Sequence, residues 1–82
     1  MAIKCILVNV DNVLISEVEE VMAEGGEPDC RLINPYRFFD EENMKPWVQA
    51  SNQTEYMLRS EDILTIADPS PEVVQKYKEL TT

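Results

Sequence analysis

From Tyr56 to Ile66 the chain reads Y-M-L-R-S-E-D-I-L-T-I, two short apolar alternations separated by a few polar residues. Glu55 to Arg59 has strand periodicity, with Tyr56 and Leu58 on one face and Met57 and Arg59 on the other. Ser60, Glu61 and Asp62 make a tight turn, and Ile63 to Ile66 (Ile63, Leu64, Thr65, Ile66) reads as a second strand, so the stretch is expected to be a compact hairpin. Each strand keeps an outer edge, and neither edge carries a proline or a lysine that would block pairing. Two bare edges in a small β protein invite another chain.

Size makes that invitation matter. With 82 residues the chain is one domain, and a domain this small buries only about 60–65% of its unfolded surface. Oligomerisation is a common remedy where no disulfide framework or metal cluster supports the core. Hydrophobic residues make up 44% of the chain and glycine only two positions, as suits a globular domain. Sixteen acids stand against seven bases, a net charge of −9, which disfavours extended contact with a phosphate backbone. There is no histidine, hence neither the usual general base nor the commonest metal ligand. Cys5 and Cys30 form no C-x-x-C and read as free thiols in a reducing compartment. The apolar run from Cys5 to Val8 is too short for a signal peptide or membrane span, so a cytoplasmic protein is expected.

Along the chain, Ile3 to Val10 is apolar on both faces, as a central strand is. Asp11-Asn12 reads as a two-residue turn. Val13 to Glu24 fits either a helix, by the spacing of Leu14, Ile15, Val18, Val21 and Met22, or a strand with a bulge near Glu19-Glu20. Gly25-Gly26-Glu27-Pro28 is a turn. A strand from Cys30 bends or ends at Pro35, and Met44 to Ala50 is an irregular strand anchored by Trp47 and Val48. Ser70, Pro71 and Glu72 then start a helix over about 71–80. Its stripe of Val73, Val74, Tyr77 and Leu80 needs a docking surface, because so short a helix does not persist alone.

Leu58-Arg59-Ser60 and Asp62 resemble the second signature of Sm-like proteins, with serine for its glycine and aspartate for its asparagine. The D-N-V-L-I-S-E-V-E-E-V, L-I-N-P and D-P-S-P-E segments make the whole chain, 1–82, similar to small Sm-like (LSm/Hfq-type) proteins of cyanophages. The resemblance favours the strand over 13–24. It implies a mainly β fold, a strongly bent five-stranded barrel over about 1–68 with a C-terminal helix, assembled into a homo-oligomeric ring of five to seven subunits. It also implies that Arg59 helps to bind single-stranded RNA. Asp29 to Asn34 carries the residue types of the first signature at a different spacing.

Arg31, Asn34 and Tyr36 complete the candidate RNA-binding set, and Tyr56, Met57, Leu58, Ile63, Leu64, Thr65 and Ile66 the candidate subunit interface. Each has a simpler account: Arg59 pairs with Glu61 or a neighbouring chain's acid, and Tyr36 and Phe38 pack in the core. Glu17, Glu19, Glu20 and Asp40 to Glu42 lack calcium-loop spacing. The serines have no histidine to activate them, and neither cysteine has a base nearby in sequence. The chain is therefore expected to be no enzyme and to need no cofactor or metal. Two functions remain: a ring that binds single-stranded RNA, or a protein-interaction or scaffold ring that binds none.

Overall fold

The structure, a computed structural model, describes residues 2–82. Six strands precede one helix: β1 Ala2–Asn9, β2 Asn12–Glu20, β3 Cys30–Asp40, β4 Asn43–Pro46, β5 Glu55–Leu58, β6 Thr65–Ala67 and α1 Pro71–Thr81. They form a single antiparallel sheet in the order β4-β3-β2-β1-β6, and β5 shares with β4 the edge of β3 that β2 leaves open. The fold is mainly β with a C-terminal helix, as expected. The strand count is six instead of five, and among the described residues no ladder joins β5 to β6, so the sheet is not closed into a barrel.

The expected hairpin is replaced by something more economical. β5 pairs with β3 and β6 pairs with β1, at opposite ends of the pairing path. Only Arg59 to Leu64 lie between them, with Ser60–Asp62 wound into a 3₁₀ turn. Ile63 belongs to that turn and not to the second strand, because its N–H donates to the Ser60 carbonyl (3.1 Å) and its side chain packs inward. A connection this short between the two ends requires the sheet to curl.

The β1–β2 turn falls on Val10-Asp11, one residue earlier than Asp11-Asn12, because Asn9 closes it. The Asn9 Oδ1 accepts from the Asp11 N–H (2.9 Å) and from Asn12 Nδ2 (3.0 Å). β2 is a strand despite its helical spacing because both its faces find cover. Leu14 and Val18 pack on one side and Ile15 on the other.

The bulge lies in β3, and not at Glu19-Glu20. Ile15 pairs with Tyr36 and Glu17 with Ile33, so Ser16 alone stands opposite Asn34 and Pro35. Asn34 takes a φ of 52°, in the left-handed region that asparagine tolerates better than most residues. Pro35, which has no N–H to lose, follows it. β3 therefore bends here without ending, and on its outer edge it exchanges β5 for β4. The extra residue also inverts the side-chain alternation, so that Leu32 faces one side of the sheet while Tyr36 and Phe38 face the other.

Two cores result. Ile6, Leu14 and Leu32 are fully buried on the inner face, where Val8, Val18, Trp47, Leu58 and Ile63 join them. Ile15, Met44, Val73 and Tyr77 form the other, between sheet and helix, with Ile3, Cys5, Tyr36 and Phe38 around them. Each fully buried aliphatic side chain contributes about 1.5–3 kcal/mol. The helix starts as its sequence predicts: Ser70 caps it by accepting from the Val73 N–H, and Pro71 occupies its first turn.

Tyr77 reaches furthest into the sheet. Its hydroxyl accepts from the Glu17 N–H (3.2 Å) and lies 3.0 and 2.9 Å from the carbonyls of Ile33 and Asn34, which share its one proton. Ser16 Oγ, also fully buried, lies 2.8 Å from the Glu17 carbonyl and 3.1 Å from the Ile33 carbonyl, and its one proton serves the two between them. One tyrosine and one serine thus give partners to backbone groups beside the bulge, and the Asn34 N–H donates to the Thr54 carbonyl (2.7 Å).

Candidate functional site

The candidate assembly site is built around β5, the 3₁₀ turn and β6. Asp29, just before β3, clamps the turn: its Oδ1 accepts from the Ser60 N–H and its Oδ2 from Ser60 Oγ, each at 2.7 Å. The Ser60 hydroxyl, followed by its N–H, holds the Asp29 carboxyl below the usual carboxylate range. Leu64 continues the attachment through its N–H to the Leu7 carbonyl (2.8 Å). The turn is therefore fixed to the sheet at both ends, while the outer edges of β5 and β6 pair with no strand among the described residues.

Along this stretch the side chains divide sharply. Leu58 and Ile63 turn inward to the inner core, and Tyr56 stands edge-on to Trp47 at 6.3 Å. Met57, Leu64 and Ile66 remain 48%, 65% and 47% exposed, and Thr65 is exposed beside them. Of the seven interface residues expected from sequence, four thus face solvent and three support the fold beneath them. All three residues of β6 are exposed.

The four candidate RNA-binding residues do not converge on one surface. Arg31 lies between Glu19 (3.5 Å) and Glu55 (3.7 Å), and Arg59 between Asp62 (3.0 Å) and Glu61 (3.7 Å). Asn34 forms the bulge, and Tyr36 packs edge-on to Tyr77, with ring centroids 6.0 Å apart. Asn34 and Tyr36 do line one hollow of about 200 Å3 with Trp47, Asn52, Gln53 and Tyr56, a surface bearing no charged side chain. Arg59 lines a different hollow, beside Glu24, Glu27 and Asp29.

Both cysteines are free, and burial pushes each thiol up from its ordinary range. Among the described residues no three His, Cys, Asp or Glu side chains gather in a way that would hold a metal ion, and no helix is long and apolar enough to cross a membrane.

Residues 1–82, the whole chain, match the profile of a family of unknown function, DUF6561. The chain belongs to the DUF6561 family. No curated protein matches it. In this DUF6561 chain three features of the site escape a reading of sequence alone. The Asp29–Ser60 clamp joins residues far apart in the chain, and the resemblance that takes in both gives them no bond to each other. The Tyr77 contact depends on where the bulge falls, for which the signal was present in Asn34-Pro35, a left-handed-tolerant residue before one without a donor. The pairing of β5 and β6 with different strands follows from the curl of the sheet, which no local pattern encodes.

Proposed function

We propose that this chain is a non-enzymatic, Sm-like assembly module whose copies join head to tail into a ring, and that the ring serves protein interaction or scaffolding without nucleic acid. The observation that carries the reading is the pair of open edges at opposite ends of one sheet, flanked by exposed Met57, Leu64 and Ile66. β5 of one copy and β6 of the next satisfy each other's free backbone groups. Because the two edges differ, the contact is heterologous and either closes or propagates. The short connection from Arg59 to Leu64, and the arrival of Leu58 and Ile63 from both sides of it in one inner core, support a barrel-like curl of the sheet; closure with five to seven subunits is what the Sm-like resemblance implies.

The carboxylates beside Arg31 and Arg59 support the reading without nucleic acid over the one with RNA. An arginine already paired with two acids must exchange them for a phosphate, and the net charge of −9 opposes the approach.

Native mass spectrometry and light scattering test the ring. The wild-type chain is expected to run as a closed oligomer at micromolar concentration and moderate salt. Ile66→Lys, which puts a charge on an exposed edge position, and Thr65→Pro, which removes a backbone donor, are expected to abolish the closed ring. A monomeric wild-type protein under those conditions overturns the reading. Filter binding of poly-uridine at low and physiological salt tests the second half, and retention of the oligomer at physiological salt restores the RNA-binding alternative.

A further inference from the structure

A second surface lies at the far end of the β2–β3 ladder from the Gly25-Gly26 loop. Arg37 and Lys45 are direct cross-strand partners between β3 and β4. Neither has a carboxylate within ion-pair distance among the described residues, whereas Lys4, Arg31, Arg59 and Lys76 all do. Lys78, the remaining cation, sits in the last turn of α1, where the helix dipole favours it. Like charges placed directly opposite in a sheet are unfavourable, and this chain has sixteen acids from which to supply a counter-ion. Arg37 donates once, to the Asp11 carbonyl (3.0 Å), and stacks over the Phe39 ring at 4.8 Å. Phe39 itself is 54% exposed. The result is a pair of cations without ion-pair partners beside an exposed ring, bordered by Asp11 and by the Asp40–Glu42 turn.

The loop at the opposite end has the complementary chemistry. Residues 21–29 join β2 to β3, with Met22 fully exposed and Glu24 and Glu27 in no ion pair among the described residues. The loop is shaped by the Glu27 N–H bond to the Glu24 carbonyl (3.0 Å) and by Gly26 at a φ of 88°, a conformation that glycine alone adopts without cost. Arg37 is level with Leu14, so the stretch of β2 from Leu14 to Glu20 separates the patch from the loop, roughly 23 Å of extended chain. A chain's own loop does not reach its own patch.

We infer that the Arg37–Lys45–Phe39 patch receives the 21–29 loop of a second copy of this chain. Glu24 and Glu27 meet the guanidinium and ammonium groups, and the Met22 thioether meets the Phe39 ring. The contact is heterologous and propagates end to end. It uses neither β5 nor β6, so it is independent of the ring proposed above and links rings or single chains alike.

Sedimentation velocity over a wide concentration range at moderate salt reads it directly. The wild-type chain is expected to form higher species that grow with concentration, and Thr65→Pro is expected to keep end-to-end growth while losing the ring. The deciding variant is Glu24→Lys with Glu27→Lys. It raises the net charge from −9 to −5, so general electrostatics predicts more association, whereas the proposed contact predicts its loss. Arg37→Glu with Lys45→Glu is expected to lose it too, and an equimolar mixture of the two double variants to recover it. Growth of the Glu24/Glu27 variant equal to or beyond wild type overturns the inference. So does poly-uridine retention in filter binding that the Arg37/Lys45 variant abolishes, which would make the patch a nucleic-acid site.

Discussion

The helix-covered face and the β5–β6 edge solve opposite problems with similar numbers of residues. Under α1 the backbone groups beside the Asn34-Pro35 bulge find partners within the chain: the Tyr77 and Ser16 hydroxyls lie against the Glu17 N–H and the Glu17, Ile33 and Asn34 carbonyls. Along β5 and β6 the backbone edges stay open and Met57, Leu64 and Ile66 stay wet. The first region is complete in one copy. The second is held rigidly by Asp29 and Leu7, yet it leaves its outward bonding unmade. The clamp thus fixes the shape of an edge whose outward bonds are unmade, the arrangement on which the proposed association rests.

The largest test of this contrast is on the helix side. Tyr77→Ala removes a fully buried aromatic and takes the hydroxyl from the Glu17 N–H and the Asn34 carbonyl, so a loss of about 3–5 kcal/mol in urea denaturation is expected. That is a large part of the stability of a domain this size. Deleting residues 71–80 is expected to expose Ile15 and Met44 and to lower solubility. Unchanged stability after either would mean that the helix merely rests on the sheet and that the two regions are not different in kind.

Tyr77→Phe separates the hydroxyl from the ring. A loss of about 1–3 kcal/mol is expected, the cost of leaving buried groups without a partner. Burial pushes the Tyr77 hydroxyl up from 10 to about 12. The unfolded chain therefore ionises first, so this contribution is whole below pH 10 and is lost as pH rises through about 12. Thermal unfolding compared above and below pH 10 is expected to show a steeper alkaline fall for wild type than for Tyr77→Phe. Parallel profiles would remove the hydroxyl from the account.

At the bulge itself, Asn34→Gly is expected to leave stability nearly unchanged, while Asn34→Ala costs about 1–2 kcal/mol because a Cβ is strained at a φ of 52°. Equal effects would show that the asparagine matters through its side chain and not through its backbone.

How far sequence reaches is visible in these same residues. The helix was legible from Ser70, Pro71 and the Val73–Tyr77 stripe because caps and periodicity act within one element. The open edges were legible because neither Met57 nor Thr65 is replaced by a proline or lysine. The strand at 13–20 needed the resemblance, since its apolar spacing fits two structures and tertiary cover on both faces decides between them. The bulge was expected in the wrong strand because register belongs to a pair of strands, and β2 alone holds no record of Asn34. The Arg59–Glu61 pair was legible because the two lie close together in the chain, whereas Glu19 and Glu55 reach Arg31 only through folding.

The smallest expected effect is at Arg59, and it bears on what the edge is made of. Arg59 stands beside Asp62 and Glu61 with its side chain 47% exposed. Solvent-screened pairs of this kind contribute about 0–1 kcal/mol, so Arg59→Ala is expected to change thermal stability little. If the open edge acts through its backbone and through Met57, Leu64 and Ile66, the mass distribution in native spectrometry is also expected to match wild type, where Ile66→Lys abolishes the closed ring. The two substitutions alter charge in opposite directions by one unit each, one removing a cation and one adding it, so a simple net-charge effect moves them oppositely. Loss of the oligomer in Arg59→Ala would instead make that arginine a contact to the neighbouring chain's acids, and would shift the weight of assembly from strand pairing to the turn between the strands.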